Sequence, residues 1–284
     1  MLQYLTGSDL FAYIQMQRQL DRRAVIVLEG PEDCGIIDPH LHVEAAHSIP
    51  GYGKQSVVDA AALLDHAEVD HVRLVIDADF DRQLGLTSGL PPNIVITEYH
   101  DLDADVFFSC PSVLSSVLAN FTDRTIRQQY FETSQKDPLD VIIDIAGVVG
   151  VVRYHSILHD LHLKMRDFPT TPLMAPYEQT GSAVSAVLQL AFARSRRSDQ
   201  TLEHSIIGSF ITGVADLRPY CNGHDLFAVM SSFVRERWGG SAGSNVLANA
   251  IRAAVPCACW QKTRIYTELQ SWGAALKLYL WTCA

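Results

Sequence analysis

Residues 24–30 read AVIVLEG, and residues 71–81 read HVRLVIDADFD. Each stretch is a short, continuously apolar run that ends in acid, at Glu29 in the first and at Asp77 in the second. Short runs rich in Val and Ile are typical of strands that are buried on both faces of a parallel sheet. The two stretches therefore predict two buried strands, each with a carboxylate at its carboxyl end.

The surrounding sequence predicts an α/β fold. A weak strand is expected at 45–49 and another at 93–97, and the apolar spacing of 54–66 predicts a helix. Strands that alternate with helices indicate βαβ units and a parallel sheet. Beyond about residue 102 the pattern predicts helices at 111–133, 138–166, 181–196, 202–213, 224–237, 244–255 and 262–281. We expect an α/β domain over 1–110 and a largely helical extension over 111–284.

The composition is that of an ordinary globular chain. The 284 residues are 48% hydrophobic, and the formal net charge is −10. This acidic balance argues against a protein that coats nucleic acid without specificity, although a local basic groove remains compatible with it. The longest apolar run, 141–152, is interrupted by Asp144 and is shorter than a membrane span. We expect no membrane association and no secretion, because the N-terminus lacks the basic start of a signal peptide.

Cysteine usage also favours a cytoplasmic protein. Of the six cysteines, only Cys257 and Cys259 are closely spaced, and no CxxC pair exists. Idle thiols in a reducing cytoplasm are the expected state.

Three alternating aspartates, Asp77, Asp79 and Asp81, end the third predicted strand. Alternate residues of an extended chain share one face, and parallel sheets bind ligands beyond the carboxyl ends of their strands. Clustered carboxylates repel one another unless a cation neutralises them, and oxygen ligands suit Mg²⁺. The pattern therefore predicts a magnesium site, where the metal would stabilise phosphoryl charge and activate water.

The sequence excludes two other interpretations of these segments and leaves two open. An EF-hand loop starting at Asp77 lacks the glycine and the glutamate that its motif requires. A P-loop ending at Lys54 fails because Ser48 and Gln55 break its motif. A phosphoaspartate enzyme stays open, and so does a purely structural role in which the aspartates cap the following turn.

The order of four short motifs is more specific than any one of them. They are VLEGPED, GYGK, VIDADFD and VITEYHDLDADVF, which begin at residues 27, 51, 75 and 95. Together with CNGHDL at 221–226, they resemble the TOPRIM-like family found beside ABC-type AAA ATPases in bacterial phage defence. Within that family, the motif set resembles the TOPRIM effector subunits of PARIS-type systems. The resemblance extends over about residues 20–270.

The resemblance implies a nuclease that depends on Mg²⁺, with Mn²⁺ as an alternative. Glu29 would be its general acid/base or a metal ligand. The implied metal ligands are Glu29, Asp33, Asp77, Asp79 and Asp81. Lys54 follows a glycine-rich turn, where an ammonium could balance developing phosphate charge, although an exposed lysine without function is equally compatible with this position.

The resemblance also implies partners. It implies a toxin-like effector that an ABC-type AAA ATPase subunit holds inactive until infection, and that then acts on host tRNA in the cytoplasm as a homodimer. Two alternatives stay open: a DNA-nicking enzyme on the same fold, and a non-catalytic sensor or regulatory partner of the ATPase.

Three further groups of residues have both a functional and a structural interpretation. The segment 98–105 adds acids and a histidine near the same sheet edge, but it also fits the first turn of a helix. His224 fits a site residue or a plain helix start. His155, His159 and His162 share a helical face on which zinc could bind, and a solvated face is the favoured interpretation.

Basic residues cluster despite the net charge. The clustered residues are Arg194, Arg196, Arg197, Arg235, Arg237, Lys262 and Arg264. Such positions could bind phosphates along a nucleic acid, contact an acidic partner protein, or lie on solvated helix surfaces.

Overall fold

The computed structural model describes residues 6–134, 136–196 and 201–283, and the chain divides into two compact units. The first unit combines Met1–Cys110 with Val255–Ala284, and the second is Pro111–Ala254. The sequence assigned 255–284 to the helical extension, whereas the structure groups these residues with the first unit. The physical reason is that the C-terminal segment buries Trp260 and Trp281 in the first unit and is joined to Leu41 by a β-bridge from Trp281.

A four-stranded parallel sheet forms the centre of the first unit. Its strands are β1 (Ala24–Leu28), β2 (Ala46–Pro50), β3 (Val72–Ile76) and β4 (Ile94–Ile96). Their order is β2-β1-β3-β4, and every neighbouring pair is parallel. The α/β fold class and the four predicted strands are therefore confirmed. Because β1 and β3 are neighbours in register, Val25 beside Val72, their carboxyl ends meet at one edge.

Helices cover this sheet and close its core. They are α1 (Gly7–Leu20), α2 (Pro31–Ile37), α3 (Lys54–His66) and α4 (Leu102–Ser109), and the C-terminal segment adds α13 (Cys257–Trp260) and α14 (Arg264–Ala275). Leu10 and Ile14 of α1 pack with Leu64 of α3 in the buried core beneath β1 and β3. Gly51 lets the chain after β2 pass against α3, because a Cβ there would overlap the side chain of Val57.

The second unit is helical, as the sequence predicts. Its helices are α5 (Pro111–Asn120), α6 (Arg124–Thr133), α7 (Pro138–Leu158), α8 (Met174–Thr180), α9 (Val184–Arg194), α10 (Thr201–Gly213), α11 (Gly223–Arg237) and α12 (Ser244–Ala254). The predicted helix 111–133 is in fact two helices, because Asp123 caps a new one with its side chain. The predicted helix 138–166 ends at Leu158.

Helix α7 forms the core of the second unit. Its residues Ile142, Ile145 and Val149 are fully buried. It is the one continuous helix of the described residues that is long and apolar enough to cross a membrane, and 72% of its most apolar window is buried inside the protein. Most of this apolar surface is therefore covered by the rest of the second unit.

Four of the six cysteines are paired, so the expectation of idle thiols is wrong for them. Disulfides join Cys110 to Cys259 and Cys257 to Cys283, while Cys34 and Cys221 are free and buried. Sequence spacing could not reveal the first pair, because 149 residues separate its members. The cytoplasmic location stays a prediction.

Candidate functional site

The site is built where β1 and β3 end side by side. Glu29 directly follows β1, Asp77 directly follows β3, and the Asp77 backbone N–H donates to Glu29 Oε1 over 2.8 Å. The parallel pairing of the two strands holds this contact between residues 48 positions apart. We call Glu29, Asp33, Asp77, Asp79 and Asp81 together the acidic edge.

Asp77 lies at the centre of negative charge. Burial raises the pKa of Asp77 well above 3.8, and repulsion from Asp101, Glu29, Asp33 and Asp79 raises it further. Its Oδ1 accepts a weak hydrogen bond from the Leu102 N–H at 3.3 Å. A cation that offsets the surrounding charge would therefore favour release of the Asp77 proton to solvent.

Glu29 has the pKa of a group that exchanges protons at neutral pH. Burial raises the pKa of Glu29 to about 7, although the hydrogen bond from the Asp77 amide opposes the rise. Asp79 and Asp33 raise this pKa further, and Lys54 lowers it. A carboxyl group tuned to neutral pH in a charged cleft is a candidate general acid or base.

Lys54 binds two acids of the edge. It is the first residue of α3, after Gly53, whose φ of 124° few other residues adopt. Its Nζ donates to Asp79 Oδ2 at 2.7 Å and lies 2.8 Å from Asp81 Oδ2. Burial alone would lower the pKa of Lys54, but these two hydrogen bonds raise it above 10.5. Lys54 is therefore half-buried and paired with two acids rather than exposed.

The chain turns sharply at Asp79. This residue has a φ of 44°, in the left-handed region, and its N–H donates to the His100 carbonyl at 2.8 Å. The buried ring of His100 packs edge-on against Phe80, and its Nδ1 lies 3.8 Å from Asp79 Oδ1 and 3.5 Å from Asp101 Oδ2. A non-glycine residue in this conformation at a charged edge is typical of functional sites.

Asp33, which the resemblance implies as a metal ligand, forms a hydrogen bond at the start of helix α2. Its carboxylate accepts from the Gly30 N–H at 2.8 Å and so satisfies the backbone at the start of α2. It nevertheless raises the pKa values of both Glu29 and Asp77. Asp33 belongs to the acidic edge through charge, while its hydrogen bond is explained by the helix.

The segment 98–105 divides between the two interpretations. Asp101 caps α4 through a hydrogen bond from the Ala104 N–H, and it is the acid that most strongly raises the pKa of Asp77. Asp105 is buried and accepts from the backbone N–H groups of Glu98 and Tyr99, so it holds the loop in place. The sequence placed the acids and the histidine of this segment near the sheet edge, and the structure singles out Asp101 and His100 as bordering the site. The alternation of acids and helix-starting positions at 101–105 was the available signal.

The other histidine candidates lie in the second unit. Asn222 caps α11, and His224 Nδ1 lies 3.5 Å from Asp225 Oδ1. The predicted face of three histidines is wrong because α7 ends at Leu158, which leaves His162 in a loop. The remaining pair, His155 and His159, stack with ring centroids 5.3 Å apart.

Most of the clustered basic residues have partners. Arg237 pairs with Glu178 at 2.7 Å, and Arg264 lies near Glu98 and Glu268. Arg194 donates to the backbone carbonyls of 166 and 167. Arg197 lies outside the described residues. These contacts favour solvated, paired helix surfaces over an uninterrupted phosphate path.

Whether the acidic edge fits a divalent cation can be judged from its donors. Among the described residues, no three of its carboxylates bring ligand atoms within 4.8 Å of one another. Mg²⁺ needs only one or two protein carboxylates and keeps several waters. The donors of the acidic edge are carboxylate oxygens, the class that Mg²⁺ prefers, although Lys54 already neutralises Asp79 and Asp81.

Comparison with known proteins adds no relative. The chain matches no protein-family model and no curated protein sequence.

Proposed function

We propose that this chain is a TOPRIM-like nuclease, a phosphodiester hydrolase that depends on Mg²⁺ or Mn²⁺. The observation that carries the proposal is the contact between Glu29 and Asp77 at the adjoining ends of β1 and β3. Glu29 has a pKa of about 7, and it lies beside Asp77, whose pKa is raised by burial and by neighbouring acids. This arrangement is unfavourable for a purely structural surface. It is suited to a site where a cation and a proton are handled together.

The acidic edge would hold the metal through Asp77, Asp79 and Glu29, with Asp33 and Asp81 nearby. When bound, the metal supplies an activated water and offsets phosphoryl charge. Glu29 takes or returns a proton at its carboxylate, for which a pKa of about 7 is suitable. The ammonium of Lys54, which pairs with Asp79 and Asp81 in the absence of substrate, would instead donate to a phosphate oxygen of the substrate.

The substrate and partners follow from the resemblance of the motif order. We propose host tRNA as substrate, an ABC-type AAA ATPase as the subunit that restrains the enzyme, and a homodimer as the active form in the cytoplasm. The role in phage defence is that of a toxin-like effector. A DNA-nicking activity and a non-catalytic regulatory role are the alternatives that the experiment must separate.

The test is cleavage of total tRNA and of supercoiled plasmid DNA by the purified full-length chain with Mg²⁺, read on gels. Wild type and Glu29→Gln are compared, because Gln keeps the shape of the side chain and its acceptor for the Asp77 N–H. Glu32→Gln is the matched control, since Glu32 is exposed and three residues away. We expect discrete tRNA fragments from wild type and Glu32→Gln, and a loss of about 100-fold or more in Glu29→Gln.

The other outcomes separate the alternatives. Nicked plasmid with intact tRNA would keep the nuclease and replace its substrate. Cleavage that is equal in wild type and Glu29→Gln would contradict the proposed site. No cleavage of either nucleic acid, even with the ATPase partner and phage infection as trigger, would favour the regulatory role.

A further inference from the structure

A second group of potential metal ligands lies apart from the acidic edge. His40, Cys257 and Cys283 bring one ligand atom each to within 4.8 Å of one another, and they are the only such trio among the described residues. His40 and Cys283 are each 5% exposed, and Cys257 is partly exposed. The trio is therefore a largely buried cluster with one side open to solvent.

Backbone pairing holds Cys283 against His40. The Thr282 N–H donates to the His40 carbonyl at 2.8 Å, and the His42 N–H donates to the Leu280 carbonyl at 2.8 Å. As a result, Cys283 Sγ lies 3.5 Å from His40 Nδ1. Two residues that are 243 positions apart in the chain are thus held in contact at one imidazole nitrogen.

The imidazole is also fixed in orientation and kept neutral. Its ring stacks on Trp260, with centroids 5.4 Å apart and planes 6° apart. Burial lowers the pKa of His40 below 6.5, so that the ring nitrogen keeps its lone pair at neutral pH. Neutral imidazole and thiolate are the donors that zinc prefers, whereas Mg²⁺ prefers oxygen.

We propose that reduction of the Cys257–Cys283 disulfide creates a zinc site made of His40, Cys257 and Cys283. A thiol or phosphine reductant breaks the S–S bond, takes up the oxidising equivalents and leaves two thiols. Zn²⁺ then binds their sulfurs and one ring nitrogen, and the two thiol protons go to solvent. The two states exclude each other, because a disulfide sulfur is not a thiolate ligand.

This site does not rest on the proposed nuclease function. None of its three ligands belongs to the acidic edge, and its donors select a different metal. Its consequence is local: zinc would fasten the C-terminal segment to the turn at His40 under the reducing conditions in which the disulfide opens.

The test is zinc binding by the full-length chain, with Zn²⁺ alone as the probe, after reduction by a phosphine that does not chelate metal. Competition with a chromogenic chelator gives the affinity and stoichiometry. Because the acidic edge can bind a divalent cation in both states, we expect the reduced chain to bind one zinc ion more than the oxidised chain. The affinity of that additional site should fall about tenfold or more in His40→Ala. His42→Ala is the matched control, because His42 is exposed and two residues away. It should bind zinc like wild type.

A second measurement keeps the proposal testable if His40→Ala does not fold. Zinc should protect two thiols of the reduced wild-type chain from a thiol reagent, and Co²⁺ in its place should show a thiolate charge-transfer band. Absence of zinc binding by the reduced chain, binding without thiol protection, or equal binding by the oxidised chain would overturn the proposal and leave the pair as a structural disulfide.

Discussion

Two aspartates of this chain show opposite pKa shifts, and their neighbours explain the difference. Asp225, in the second unit, is fully buried, which opposes ionisation, but hydrogen bonds from His224 and Arg153 hold its pKa below 3.8. Asp77 is less buried, yet its pKa is raised well above 3.8, first by burial and then by repulsion from Asp101 and other acids. The sign of the pKa shift therefore depends on whether the neighbours of a buried aspartate are hydrogen-bonding cations or other acids.

The comparison separates a structural charge from one that is available for function. Arg153 donates to both oxygens of Asp225, at 2.5 and 3.1 Å, so that this carboxylate has no need of another cation. Several acids surround Asp77, while the ammonium of Lys54 pairs with Asp79 and Asp81 instead. Charge left uncompensated by the chain itself is what a ligand can complete.

The largest effect is expected from removing the partner of Asp225. Arg153→Met leaves a buried carboxylate without its cation, so we expect the free energy of unfolding to fall by about 3–5 kcal/mol. Urea denaturation of the full-length chain measures this.

The control for this change is Arg218→Met. Arg218 pairs with Asp216 on the surface, with both side chains nearly half exposed, so its loss should cost at most about 1 kcal/mol. Adding Asp225→Asn to Arg153→Met should recover part of the stability. If the double variant is no more stable than Arg153→Met, the buried charge is not the cause of the loss.

The next effect is a gain in stability at the acidic edge. Asp77→Asn removes the repelled charge and keeps an oxygen for the Leu102 N–H, so we expect the free energy of unfolding to rise by about 0.5–2 kcal/mol at neutral pH. The same change should abolish the proposed nuclease activity. A gain of this sign is typical of sites where function has been kept at a cost in stability.

The pH dependence gives the sign of this effect independently. The pKa of Asp77 is higher in the folded chain than its ordinary value of 3.8, so above 3.8 the folded state binds more protons and wild type loses stability as the pH rises. The advantage of Asp77→Asn should therefore vanish in acid and grow toward alkaline pH. Asp70→Asn, at an exposed position, should show no such trend. An advantage of Asp77→Asn that is constant with pH would mean that repulsion is not its source.

The sequence predicted the parts of this arrangement that depend on local pattern. Continuous apolar runs identify β1 and β3, and the residue that follows a parallel strand lies at the ligand-binding edge, so Glu29 and Asp77 could be found without a structure. Helix α1 was missed although Thr6 and Asp9 form a capping box at its start, because the usual form of that motif has Glu or Gln rather than Asp.

The parts that depend on distant segments could not be predicted. His40 meets Cys283 only because the C-terminal segment returns to the first unit, and no spacing rule covers such a separation. The pairing of Lys54 with Asp79 and Asp81 depends on how the chain turns at Asp79, where the φ of 44° is not encoded by a turn-forming glycine. Local propensity fixes neither contact.

The smallest expected effect tests whether Lys54 competes with a metal for the acidic edge. Lys54→Met removes the ammonium from Asp79 and Asp81 but keeps much of the apolar stem that packs there. Because Asp79 is about half exposed (48% of its side chain), the lost ion pair is worth at most about 1 kcal/mol. If Mg²⁺ takes the place of the ammonium, the affinity of the chain for Mg²⁺ should rise by about two- to fivefold, measured by calorimetry. Cleavage should fall in the same variant, since the phosphate loses its cation.

This combination distinguishes competition from simple support of the fold. Lys277→Met, which removes one positive charge at an exposed position, should leave both Mg²⁺ affinity and cleavage unchanged. A Lys54→Met chain that binds Mg²⁺ less tightly than wild type would show that Lys54 orders the aspartates for the metal rather than occupying its place. An Mg²⁺ affinity equal to that of wild type would instead mean that Asp77 attracts the cation without Asp79 and Asp81, which would then belong with Asp225 as carboxylates that the fold has already neutralised.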